Sequence, residues 1–282
     1  MLYLGLPDTV PRAIDTDHPV EGNHIMRTRL LLGAIASMAF TTTAVVAGNA
    51  PPKSGLVLWL EADKGLATDG SSWSDQSGNG HDANAVSGET PTYVGAAING
   101  LPAAQFTGNS AMTIAGSVLT SQQFTIIAVA TDVSTYDGNN LEFREIISNW
   151  SSATGDQSIF LGDLWTNASG KTLDRFRFTD NVGGADQDDK GVGKLKRPTE
   201  AFILSATSAA DSAIVQLGSK VQYQSKKPLP TRDLTAPWYL GRQAEADVEH
   251  WNGYIAEVLV YNTTLSDNDM KKAIKYLKGK WQ

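Results

Sequence analysis

Three carboxylates stand at alternate positions in Glu245-Ala246-Asp247-Val248-Glu249. On a β-strand the two-residue period puts all of them on one face. There a nucleophile and a general acid can flank a glycosidic bond from about 5 Å apart. The flanks point to a different setting. Tyr239-Leu240-Gly241 and Trp251-Asn252-Gly253 read as strand ends, so the motif reads as the acidic loop joining two strands. A solvated loop leaves carboxyl groups near their ordinary pKa, with no raised general acid. Glu142 and Glu145 are three apart and face opposite ways on a strand. Of the four histidines, His81 and His250 fall in no metal-ligand spacing, and His18 and His24 lie in an atypical N-terminal stretch. No serine occupies a nucleophile elbow. The resulting expectation is a protein that is not an enzyme, with no catalytic residue.

Two other groupings suit binding. Asp180, Asp186, Asp188 and Asp189 cluster between Thr179 and Lys196. Hard oxygen ligands on a flexible loop suit calcium, the one cofactor the chain suggests, although the EF-hand pattern fails at Lys190 and Arg197. A solvated acidic loop is the simpler account. For sugar, Trp150, Trp165 and Trp251 fall at strand ends or in loops, where an indole face can stack on a pyranose. Arg175 and Arg177 alternate with Phe176 and Phe178, so the phenylalanines should be buried and the arginines should face outward as donors. Each tryptophan can equally cover the rim of a core.

The elements that must carry these residues are short apolar or alternating runs broken by Gly, Asn, Asp and Ser. The expected strands are 56–61, 103–106, 112–115, 124–131, 143–150, 157–163, 174–179, 201–207, 213–217, 238–241 and 254–261. Many short strands at this spacing indicate a sandwich or barrel rather than βα units. Phe124–Ala130 is apolar on both faces and reads as a central strand. Only the C-terminus reads as helix. Ser266 is a suitable N-cap with Asp269 three residues on, and Met270, Ala273, Ile274, Leu277 and Trp281 recur at helical spacing. Lysines fill the opposite face, a solvated one.

The chain has 282 residues, 41% of them hydrophobic, which suffices for a real core in one sandwich domain. A net charge of −7 makes nucleic acid and anionic lipid poor partners. Absence of cysteine excludes disulfides and thiolate chemistry. Met26-Arg27-Thr28-Arg29, the apolar run Leu30–Phe40 and Val45-Val46-Ala47 form the pattern of a signal peptide cut before Gly48. The apolar run is short for a membrane span. The expected organisation is therefore an N-terminal extension over 1–25, with Met26 as the true start. A signal peptide (26–47), a linker (48–54) and one domain (55–282) follow. Export implies a secreted, periplasmic or cell-surface location, with no membrane span after cleavage.

The run Gly55-Leu56-Val57-Leu58-Trp59-Leu60-Glu61-Ala62-Asp63, then Trp73-Ser74-Asp75-Gln76-Ser77-Gly78-Asn79-Gly80-His81-Asp82-Ala83, resembles the opening of LamG-like (concanavalin A-like) jelly-roll domains of exported bacterial proteins. Pro91-Thr92-Tyr93 and Ile98–Phe106 resemble it as well. So does the ending, Trp251-Asn252-Gly253-Tyr254 through Tyr261 and a helix closing on Lys280-Trp281. The resemblance implies an all-β fold of two antiparallel sheets, a jelly-roll sandwich, with a short C-terminal α-helix. It implies binding or structural roles, with lectins and polysaccharide-cleaving enzymes as relatives. Retaining glycosidases of this architecture carry the E-x-D-x-E spacing in an apolar central strand, unlike residues 245–249 here. The expected function is a non-catalytic binding module for glycan or another cell-surface component. The alternatives are a polysaccharide-cleaving enzyme of the same fold and a structural surface protein.

Overall fold

A computed structural model describes residues 50–134, 142–151, 157–168, 171–179, 198, 200–244 and 249–282, with backbone alone at 142, 164–168 and 171–175. The described chain runs through β1 (Leu56–Glu61), one helical turn α1 (Ala62–Gly65), β2 (Ser72–Trp73), β3 (Ala83–Ala85), β4 (Thr92–Ile98), β5 (Leu101–Thr107) and β6 (Met112–Ile114). It continues through β7 (Phe124–Ala130), β8 (Glu142–Ser148), β9 (Phe160–Ala168), β10 (Lys171–Phe178), β11 (Phe202–Ser208) and β12 (Ala213–Leu217). Last come β13 (Lys220–Ser225), β14 (Trp238–Leu240), β15 (Asn252–Tyr261) and α2 (Asp267–Trp281).

These strands form two antiparallel sheets, as the sequence indicates. One runs β13-β12-β11-β7-β15-β5-β4, the other β10-β9-β8-β14-β6-β3-β2. Long β15 serves two neighbours on one side. Its first half pairs with β5 and its second half with β1, while β7 lies along the other side.

The two-residue period of β7 explains the layering. Phe124, Ile126, Ala128 and Ala130 point into the core between the sheets, beside Trp73, Trp238 and Trp251. Ile127 and Val129 point the other way, into a second core capped by α2 through Ala273, Ile274, Leu277 and Trp281. A strand apolar on both faces therefore needs a third layer, and the amphipathic helix supplies it. Burial of each such side chain contributes about 1.5–3 kcal/mol. The Ser266 N-cap is present: its hydroxyl accepts from Asp269 N at 3.2 Å and donates to the Asp269 carboxylate at 2.9 Å. Neither described helix is long and apolar enough to cross a membrane.

Asp75 anchors the 74–83 turn to β1, accepting from Trp59 N at 2.9 Å, Ser77 N at 2.8 Å and His81 N at 3.1 Å. Gly78 and Gly80 supply the left-handed conformations (φ 88° and 77°) that the turn needs. Trp59, Trp73 and Trp281 are buried packing residues. Strands β2, β3, β4 and β13 were not anticipated. β2 and β3 are two and three residues long, and the ladders of β4 and β13 are each broken by a register shift. The N-terminal extension, the signal peptide and the first two linker residues fall outside the described residues.

Candidate functional site

The outer face of the second sheet carries the chemistry. Phe176 and Phe178 of β10 point into the inter-sheet core, so Arg177 points out. Register places Arg177 opposite Gly162 on β9, and Gly162 opposite Glu145 on β8. All three therefore share the outer face. A side chain at 162 would meet the Arg144 carbonyl at 1.8 Å. The bare backbone there leaves a gap through which Arg177 Nη1 reaches across β9 to Glu145 Oε1, 3.8 Å away. The guanidinium lies between two rings, 3.9 Å from the centroid of Phe143 and 4.1 Å from that of Phe160. Stacking on both faces holds it in place.

Glu249 closes the group. It precedes β15, where its carbonyl accepts from Glu145 N at 3.0 Å and its carboxylate pairs with Arg177 Nη1 at 3.0 Å. Its φ of 59° is the left-handed region, which costs a residue with a Cβ on the order of 1 kcal/mol. Burial pushes the Glu145 carboxyl well above the ordinary glutamate range, and the Glu249 charge pushes it the same way. Arg177 and a hydrogen bond with Ser148 oppose this, while a hydrogen bond with Glu249 adds to it. Glu145 thus keeps its proton to higher pH than an exposed glutamate does. Gln243 Nε2 lies 3.5 Å from Glu145 Oε1. Beyond it, Arg242 is held by Glu89 at 2.8 Å and lies 5.0 Å from the Tyr239 ring centroid, and His250 Nε2 stands 4.0 Å from Glu89. A polar strip therefore crosses β8 and β14.

Chemically, a neutral acid beside a carboxylate and a fixed cation can donate a proton and stabilise the charge left behind. Both carboxylates lie within reach of the same guanidinium nitrogen, 3.8 Å from Glu145 and 3.0 Å from Glu249.

Sequence reasoning named all three, Arg177 as an outward donor, Glu249 as a loop carboxylate and Glu145 only beside Glu142, and did not bring them together. Residues 245–248, Glu245 and Asp247 among them, lie outside the described residues. Glu249, however, has a side chain only 17% exposed and is no solvated loop carboxylate. A glutamate beside Ile146-Ile147 in an apolar strand was the available signal for Glu145. Arg177 faces outward as expected but is 6% exposed, because Glu249 and the two rings cover it. Trp251, expected as an open stacking ring, is fully buried and packs edge-on against Phe202, with centroids 6.3 Å apart. Its position at the start of β15 turns it inward. Trp150 is half-buried after β8. The Trp165 and Arg175 side chains, and Asp180, Asp186, Asp188 and Asp189, lie outside the described residues. Among the described residues no three His, Cys, Asp or Glu side chains are grouped to hold a metal.

No protein-family profile and no curated protein matches the sequence. Solved structures do match. One is domain 4 of an extracellular GH43 arabinanase from Geobacillus stearothermophilus, in complex with arabinotriose, at 16% identity and TM-score 0.53. It covers 79% of this chain and 100% of that one. Trypanosoma rangeli sialidase in complex with sialic acid matches at 15% identity and TM-score 0.54, over 82% of this chain. The same sialidase as a covalent intermediate with 2,3-difluorosialic acid matches at 16% identity and TM-score 0.55. The chain spans 34% of the sialidases' length. These likenesses establish the β-sandwich fold. They also overturn the expectation that the chain is not an enzyme. The matching chains include sialidases and part of an arabinanase, and the loop carboxylate on which that expectation turned sits in a buried carboxyl–arginine cluster.

Proposed function

We propose that the chain is an exported, concanavalin A-like protein that cleaves polysaccharide, with Glu145 as proton donor and Glu249 as its carboxylate partner. One observation carries the reading: a fully buried glutamate, its carboxyl pushed well above the ordinary range by burial, is grouped with a less buried carboxylate and an arginine fixed between two rings. Export is supported by the signal-peptide pattern at 26–47. A glycan substrate is supported by the sugar complexes of the fold's relatives. Arg177 orients Glu249 and stabilises the charge left on Glu145 when it gives up its proton.

The test is a panel of neutral and acidic polysaccharides scored for new reducing ends and for unsaturated products. Wild type should turn over at least one polymer. Glu145→Gln should lose turnover by at least about a hundredfold, the scale of a missing general acid, while retaining the polymer in affinity electrophoresis. Glu249→Gln should lose it as well. Turnover that survives in both variants removes these residues from the mechanism. Binding without turnover in wild type removes the cleavage reading, and neither binding nor turnover removes the glycan.

Calcium is proposed for the acidic stretch holding Asp180, Asp186, Asp188 and Asp189. Calorimetric titration with calcium should give one site that Asp186→Asn together with Asp188→Asn abolishes. No heat from the wild type would exclude it.

A further inference from the structure

At the opposite face of the molecule, where α2 lies on the first sheet, three carboxylates converge on one lysine. Lys280 Nζ contacts Glu61, lies 2.5 Å from Asp63 and lies 3.4 Å from Glu257. The Glu257 carboxylate also accepts both neighbouring indoles, Trp59 Nε1 and Trp281 Nε1, each at 2.7 Å. The Tyr276 hydroxyl donates to Glu61 at 3.1 Å. Glu61 and Glu257 are essentially without solvent exposure and Lys280 is 7% exposed. This is a buried charge cluster in an otherwise apolar layer, and it ties the last turn of α2 to β1 and β15.

We infer that the cluster is a pH-operated clasp: the C-terminal helix is held tightly while Glu257 is neutral and is loosened when Glu257 ionises. The charged and titratable groups facing it are Glu61 from β1, Asp63 and Lys64 from α1, Tyr261 from β15 itself, and Lys280, Tyr276 and Asp269 from α2. Lys53 and Lys64 lie over the Trp59 ring, at 5.6 and 5.4 Å. With Glu257 neutral, Lys280 and Lys64 face Glu61 and Asp63, two positive charges against two negative. Ionisation of Glu257 adds a buried negative charge with no new cation to match it. Burial raises its pKa to about 7 against Lys280 and the indole donors, and the Glu61 charge adds to the rise. Docked, the carboxyl is neutral below pH 7 and the cluster balances; lifted and hydrated, it ionises above about 4.5. Rising pH between those values therefore increasingly favours a state in which α2 lifts and water reaches the carboxylate. Lifting exposes the apolar stripe of α2 and the sheet face beneath it.

Hydrogen exchange read by mass spectrometry on full-length protein tests the clasp. Protection of peptides from 267–281, corrected for the intrinsic pH dependence of exchange, is compared with that of β7 between pH 4 and 8.5. Wild-type α2 protection should fall between about pH 4.5 and 7 and level off above that, while β7 stays protected. A carboxyl at about 7 when docked and 4.5 when free shifts the docking equilibrium on the order of a hundredfold. Glu257→Gln should abolish the fall. Trp281→Phe keeps a large ring but removes one donor to the anion, so the pH at which its fall levels off should move up. That variant keeps the test open if Glu257→Gln fails to fold. Helix protection that is flat across this range, a fall that persists in Glu257→Gln, or an unmoved levelling pH in Trp281→Phe would each overturn the inference.

Discussion

Arg177 does two things through one side chain. Its guanidinium is held between Phe143 and Phe160, and its charge restrains the Glu145 carboxyl from rising further. Arg177→Met should therefore raise the Glu145 midpoint, since the remaining influences of burial and Glu249 both favour the neutral acid. Infrared titration of the carboxyl C=O stretch, referenced to Glu145→Gln, reads that shift; a lower midpoint would show that Arg177 is not the charge that matters. The same variant leaves Glu249 beside Glu145 without its cation, and should cost about 3 kcal/mol in urea denaturation. Arg177 and Glu249 were legible as residue types from alternation and from the acidic motif. Their meeting with Glu145 was not, because it rests on cross-strand register and on a glycine between them. The three lie in separate parts of the sequence, and nothing in the alternation of β8 or β10 specifies which residues stand opposite. Trp251 shows the reverse limit: a tryptophan at a strand end is read as exposed, yet the turn into β15 sends it into the core.

At the scale of the elements, strongly patterned segments were legible and weakly patterned ones were not. The apolar run of β7, the Phe-x-Phe alternation of β10 and the capped stripe of α2 each state their own burial. By contrast β2 and β3, of two and three residues, and bulged β4 are strands only because a neighbour offers a ladder. Helix α2 makes the energetic case most directly. Ile274 is 4% exposed, in the layer with Ile127 and Val129. Ile274→Asp buries an unpaired carboxylate there and should cost at least about 3 kcal/mol. A melting temperature unchanged by the substitution would mean that the helix does not dock. Lys271 and Lys275 on the exposed face serve as controls: replacement by Gln should change stability by less than about 0.5 kcal/mol.

At the scale of the whole molecule, the two sheets each hold a buried carboxyl with a raised pKa, Glu145 on one and Glu257 under the other's helix. A carboxyl raised on folding binds more protons in the native state than in the unfolded chain. Its contribution is complete below its ordinary 4.5 and is lost as pH rises through the folded value, about 7 for Glu257. Asp75 has the opposite sign. The hydrogen bonds from Ser77, Trp59 and His81 outweigh burial and hold it below 3.8, so its stabilisation is lost only as pH falls further. Maximum stability is therefore expected near pH 4.5–5, declining toward pH 8. Net charge acts in the same direction, because −7 at pH 7 shrinks toward the isoelectric point near 5.1 and relieves repulsion. Salt separates the two causes. Surface repulsion is screened over about 3 Å at 1 M ionic strength, whereas buried groups are screened far less. Urea midpoints at pH 5 and pH 8, with and without 1 M sodium chloride, should differ between the two pH values under both conditions. The residual difference in salt should shrink in Glu257→Gln and shrink further when Glu145→Gln is added. A difference that vanishes in salt for the wild type would assign the pH dependence to the surface and remove both buried carboxyls from the account.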